Sequence, residues 1–220
     1  MVWREGTPTG SASPRIHWMA PLFSLWSRDR LRPEDPPLIE QLWTLWGGKA
    51  EDVMLFLLTN LIDIHFTLIT KLGLQFEFNA QNVLLGLDAQ CNIESIVLRD
   101  MMDIEKDLVI RRSLGLHTDF ASHPYHVLGV EDQDFARQRR SFSFDFKLAT
   151  YVIEPLVRCF RLSSDRIVKE ILGVLRNHTH KWIAHLPSAY FPPDDTWYSY
   201  AKVLVDREKI LIQNRRPALR

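Results

Sequence analysis

The sequence predicts an α+β fold, mainly α-helical, with helices packed around a central antiparallel β-hairpin. Three observations predict it. Residues 51–70 are apolar at helical spacing with Glu51 and Asp52 at the start, where negative charge complements the helix dipole. Residues 72–87 and 93–98 are rich in strand formers on either side of the turn-like Asp88-Ala89-Gln90-Cys91-Asn92. Residues 143–160 and 163–186 then return to a helical pattern.

Taken in order, residues 1–15 carry Gly, Thr, Ser and Pro without an apolar run, and read as a disordered leader or the junction of a truncated gene. Residues 16–220 are expected to form one domain. Pro36-Pro37 followed by Leu38, Ile39, Leu42, Trp43, Leu45 and Trp46 predicts a short amphipathic helix that stops at Gly47-Gly48. The long helix and the hairpin come next. Residues 101–138 are broken by Gly115, Pro124 and Gly129, which suits a loop or lid. The helix at 143–160 should kink at Pro155, and Ser163-Ser164-Asp165 should cap its successor. Pro187, Pro192 and Pro193 end that helix, and a last helix is expected over 195–212. There is no internal repeat.

Composition excludes several function classes. Lys plus Arg equals Asp plus Glu at 27 each, so no overall field favours nucleic acid or an acidic membrane surface. The apolar stretch 53–72 is interrupted by Asn60, Asp63, His65 and Lys71, which fits a buried helix better than a membrane span. Two cysteines, Cys91 and Cys159, make no disulfide framework and point to the reduced cytoplasm. They also cannot build a four-cysteine iron–sulfur site.

The residues that carry chemistry sit at the mouth of the hairpin. Glu77-Phe78-Asn79-Ala80-Gln81-Asn82 places polar, oxygen-bearing side chains where apolar ones are ordinary, and Arg99-Asp100 follows the returning strand. With a turn near Gln90, paired residue numbers sum to roughly 180, which sets Asp100 across from the Asn79 to Asn82 segment. Glu77, Asn82 and Asp100 then converge as a hard-oxygen set of the kind that Mg²⁺ prefers. The same spacing also fits a solvated hairpin with its polar residues turned outward.

The run Gly73-Leu-Gln-Phe-Glu77-Phe-Asn79-Ala80-Gln81-Asn82-Val-Leu-Leu, with Ile96-Val-Leu-Arg99-Asp100 after it, resembles the signature of the NRPS-independent siderophore synthetases, the aerobactin synthetase family. That pattern is Gly-x-x-x-Glu-x-His-x-Gln-Asn-x-Leu-Leu, then a hairpin return ending in Arg-Asp. Ala20-Pro-Leu-Phe, Leu38-Ile39 and the stretch from Trp197 to Lys202 resemble its flanks, over about residues 20 to 210. The resemblance implies a palm-like, carboxy-terminal portion of an ATP- and Mg²⁺-dependent ligase. In such an enzyme a carboxylate of citrate or a related acid is activated as an acyl-adenylate, and an amine or hydroxyl nucleophile displaces AMP. By matched position it implies Asn79, Gln81 and Arg99 as catalytic, Gln81 and Asn82 as nucleotide-binding, and Glu77, Asn82 and Asp100 as metal ligands. The family's His is Asn79 here, and Ala80 stands for the common Gly. An Asn donates a hydrogen bond but cannot relay a proton. Family members are longer, with much of the nucleotide site upstream, so the expected partners include a separately encoded nucleotide-binding half or a homodimer partner. The alternative is a degenerate, non-catalytic fragment acting as a binding module.

Other clusters are weaker. His178 and His185 share a helix face while His180 points elsewhere, which favours polar surface with Trp182 packing over a metal site. His117, His123 and His126 lie in the loop-rich segment. Arg137, Arg139 and Arg140, beside Asp132 and Asp134, make either a carboxylate-binding fork or a salt-bridged helix face, and Arg111-Arg112 shares that ambiguity.

Overall fold

The computed structural model describes residues 15–101, 104–119, 127–128, 142–159, 165–186, 197–201, 209–213 and 219, with 127–128, 197–201 and 209–213 described by backbone alone. The expected leader, His123, His126 and the cluster from Asp132 to Arg140 lie outside the described residues.

The fold is α+β, built on one long helix. After β1 (Trp18–Pro21) and a single 3₁₀ turn, helix α1 (Leu38–Trp46) starts behind Pro37 and stops at Gly47, whose φ of +57° ends the helical path. Helix α2 (Ala50–Leu72) begins with Glu51 and Asp52 and ends with Lys71, so both termini carry the charge that their dipole favours. Gly73 closes it in the left-handed region at φ +59°, its N–H bonded to the Ile69 carbonyl. A Cβ there would sit 2.5 Å from Arg111 Cγ and 3.1 Å from the Asp107 carbonyl oxygen, so glycine is required on two counts.

Within Leu38–Leu72 an 18-residue window reaches a mean hydropathy of 1.8, long and apolar enough to cross a membrane. In the fold, nine residues of α2 are buried, among them Met54, Leu58, Leu61, Phe66 and Ile69, and they face the protein core. That core is completed by Val83, Leu85 and Leu87 of β3 (Val83–Leu87) and by Phe144, Leu148 and Val152.

Strand β3 pairs antiparallel with β4 (Ile93–Leu98), giving the expected hairpin, and β1 adds to its other edge. Asp88 sets the turn. Its Oδ1 accepts from the N–H groups of Gln90 and Asn92, both at 2.8 Å, and Oδ2 accepts from the Asn92 side chain at 2.9 Å. That Asn92 amide holds the Asp88 carboxyl below its ordinary pKa.

A second small sheet orders β2 (Leu74–Gln75), β5 (Glu105–Asp107) and β6 (Val127–Leu128), with β5 running into helix α3 (Leu108–Ser113). Within the expected lid segment, residues 105–113 are therefore regular structure, while 114–119 are turn and irregular chain. Asp107 caps α3 by accepting from Val109 and Ile110 N–H at 3.0 and 3.1 Å.

Two expectations are corrected downstream. The expected kinked helix is a π-helix over Ser143–Ile153 that runs into α4 (Glu154–Cys159). Pro155 has no N–H for the Tyr151 carbonyl and its ring crowds that group, and the wider π turn before it relieves both conflicts. The expected last helix is instead an antiparallel pair, β7 (Trp197–Ala201) with β8 (Lys209–Gln213). Trp197, Tyr198, Tyr200, Ile210 and Ile212 are aromatic or β-branched, and strand pairing outweighs the weak helical spacing. Helix α5 (Asp165–Ile183) packs on α2.

Candidate functional site

The polar run at the hairpin mouth is held as a lip between α2, the hairpin and the π-helix. Phe76 and Phe78 are buried, so alternation leaves Glu77 between them on the outer side. The chain then turns tightly: Phe78 N–H bonds to the Phe76 carbonyl, Asn79 N–H to that of Glu77, and Asn82 N–H to that of Asn79. The Asn79 side chain reinforces the last turn, its Oδ1 accepting from Gln81 and Asn82 N–H at 3.1 and 2.9 Å.

Register brings the two halves of the motif together. Val83 pairs with Leu98, and the ladder continues outward as Arg99 N–H donates to the Asn82 carbonyl at 2.9 Å. Arg99 Nε also donates to the Gln81 carbonyl at 2.8 Å. Gln81, Asn82 and Arg99 therefore lie on one lip, with Gln81 exposed and Asn82 buried. Asp100 is exposed and adopts φ +63°, a conformation that Asp tolerates.

Lys147 was not legible as a site residue in the sequence. It comes from the π-helix, and its ammonium pairs with Glu77 Oε1; the two side chains are only 19% and 27% exposed. It also lies 5.6 Å from the centre of the Phe142 ring. Ser143 Oγ donates to the Phe76 carbonyl at 3.4 Å, tying the same helix to the same strand.

Two of the three expected metal ligands are engaged within the chain. Glu77 is paired with Lys147. Asn82 is 2% exposed and donates its side-chain nitrogen to the Glu77 carbonyl. Among the described residues, no group of three or more His, Cys, Asp or Glu could hold a metal ion.

Beneath the lip lies His65, 1% exposed and hemmed in by Phe66, Phe78 and Phe144, with ring centroids 5.2, 5.3 and 5.6 Å away. Neither ring nitrogen has a hydrogen-bond partner among the described residues, and burial lowers its pKa to about 3. His178 and Trp182 both contact Asp63: Nε2 of His178 lies 2.8 Å from Oδ1, and Trp182 Nε1 donates to the same oxygen at 2.5 Å. His117 is exposed, and Arg111 is buried, bridging the Leu72 and His117 carbonyls at 2.5 and 2.9 Å. Cys91 and Cys159 are free.

No family model and no curated protein matches the chain. Solved structures do. The petrobactin biosynthesis protein AsbB of Bacillus anthracis aligns with 89% of this chain and 35% of its own, at a TM-score of 0.57 and 14% identity. The aerobactin synthetase IucC of a hypervirulent Klebsiella pneumoniae pathotype aligns with 97% of this chain and 38% of its own, at 0.60 and 13%. The chain thus spans little more than a third of the length of these neighbours. At such identity the likeness is one of fold: the chain folds as a portion of these siderophore-biosynthesis proteins does.

Proposed function

We propose that the chain is the palm-like, carboxy-terminal part of a siderophore synthetase that works in the cytoplasm and condenses citrate or a related acid with an amine or hydroxyl. In that reaction a carboxylate oxygen of the acid attacks the α-phosphorus of ATP, pyrophosphate leaves, and the nucleophile then displaces AMP from the acyl-adenylate. The observation that carries the reading is the lip: Gln81, Asn82 and Arg99 drawn together across the hairpin, on a fold shared with two siderophore-biosynthesis proteins. Arg99 spends Nε on the Gln81 carbonyl, and its terminal nitrogens have no partner among the described residues. They form a planar fork suited to a phosphate or carboxylate. Gln81 adds an exposed amide beside it. The role of Asn79 is confined to donation through its side-chain nitrogen, since its oxygen is committed to the turn.

A second reading, a non-catalytic binding module on the same fold, is favoured by the Glu77–Lys147 pair and by Asn79 in place of His. One set of experiments separates the two. Calorimetric titration of the purified chain with ATP and with citrate should give saturable binding that Arg99→Ala weakens about tenfold or more, the loss expected for charge-assisted bonds. Citrate-stimulated pyrophosphate release, by the chain alone or with the nucleotide-binding half of a siderophore synthetase added, identifies the ligase; binding without release in both cases identifies the module. If neither ligand binds, or Arg99→Ala leaves binding unchanged, both readings of the lip fail.

A further inference from the structure

The carboxylate expected to hold a divalent cation is already neutralised from within the chain. We infer that the Lys147 ammonium takes the place of that cation at Glu77, so the lip carries a built-in monovalent counter-ion in place of a metal site. The inference rests on the proposed ligase reading only in its expectation of a cation at Glu77.

Three observations converge on it. Glu77 and Lys147 are paired while largely withdrawn from water, where an unpaired carboxylate or ammonium is strongly disfavoured. Lys147 is aimed by the π-helix, which is anchored to the strand by Ser143 and packs Phe142 beneath the ammonium. Wide π turns rotate a side chain relative to α spacing, and such turns recur where a functional side chain must be placed. Of the neighbouring side chains, Asn79 Oδ1 holds two backbone N–H groups, Asn82 donates its nitrogen to the Glu77 carbonyl, and Asp100 is exposed. Mg²⁺ demands near-octahedral oxygen donors, and an ammonium against Glu77 both repels it and occupies its ligand.

The test uses Mn²⁺ alone, without nucleotide, followed by the loss of the free-ion paramagnetic resonance signal. The unmodified chain and Glu77→Gln should give superimposable titrations. Lys147→Met, similar in length but uncharged, should gain one site at least about tenfold tighter than any in the parent. Lys147→Met combined with Glu77→Gln should lose it. A Mn²⁺ site in the unmodified chain that Glu77→Gln abolishes would overturn the inference, as would a folded Lys147→Met that gains nothing. Should Lys147→Met fail to fold by circular dichroism, the comparison of the parent with Glu77→Gln decides alone. Because no nucleotide is present, an absence of ATP binding leaves this outcome readable.

Discussion

Replacing His65 by Leu should remove an acid-sensitive component of stability. His65 is fully enclosed by Phe66, Phe78 and Phe144 with both ring nitrogens unpartnered, and it stays neutral in the fold because burial lowers its pKa to about 3 from 6.5. The unfolded chain takes up a proton below pH 6.5, and the folded chain does not until about pH 3. Stability contributed by this residue is therefore complete above 6.5 and is lost as pH falls towards 3. Linkage with these two values gives a loss of about 2 kcal/mol between pH 8 and pH 5. Across the whole interval it reaches about 5 kcal/mol, at a cost of about 1.36 kcal/mol per unit. Other groups titrate too, so the quantity to read is the difference between the parent and His65→Leu. Urea unfolding followed by far-UV circular dichroism at pH 8, 7, 6 and 5 supplies it. The variant should gain about 2 kcal/mol relative to the parent from pH 8 to pH 5. A constant difference across that range would mean that His65 is solvated or hydrogen-bonded, and would refute the reasoning.

Gly73→Ala should destabilise the fold by about 1–3 kcal/mol, because the left-handed φ and the approach of Arg111 and the Asp107 carbonyl both oppose a Cβ; chemical denaturation reads it. Asp107→Ala should cost about 0.5–2 kcal/mol through loss of the α3 cap, with Asp107→Asn retaining most of it. Trp182→Phe keeps a ring against Phe66 but removes the bond to Asp63, and should cost about 1–2 kcal/mol in the same assay. Burial raises the pKa of the Cys159 thiol, with the Glu40 charge adding to it, so Cys159 should alkylate more slowly at pH 8 than a free thiol; mass spectrometry after timed iodoacetamide exposure checks this.

The hairpin was legible because its signals are local. A turn centred near Gln90 fixes register within one residue, and Val83 opposite Leu98 is one residue from the expected pairing. Helices α1 and α2 were legible for a similar reason, since Pro37, Gly47 and Gly73 mark their ends. Strands β1, β2 and β5 are two to four residues long and exist through partners distant in sequence, so no local pattern announces them. The pair β7–β8 was misread because aromatic and branched residues at mixed spacing satisfy a helical template when pairing is unknown. Lys147 stands 70 residues from Glu77 and belongs to a π-helix, whose spacing no α or β template anticipates. The polar lip was visible as residue types; the internal cation that answers Glu77 was not.

The most direct measurement of the proposed site is amide chemical-shift mapping of the isotope-labelled chain on addition of ATP and then citrate. The perturbed amides should centre on Gln81, Asn82 and Arg99, whose N–H groups form the lip. The groove lined by Phe56, Asn92 and Ile93, at the turn end of the hairpin, should stay unshifted. Shifts confined to that groove, or none at the lip at saturating ligand, would contradict the assignment of this lip as the ligand site.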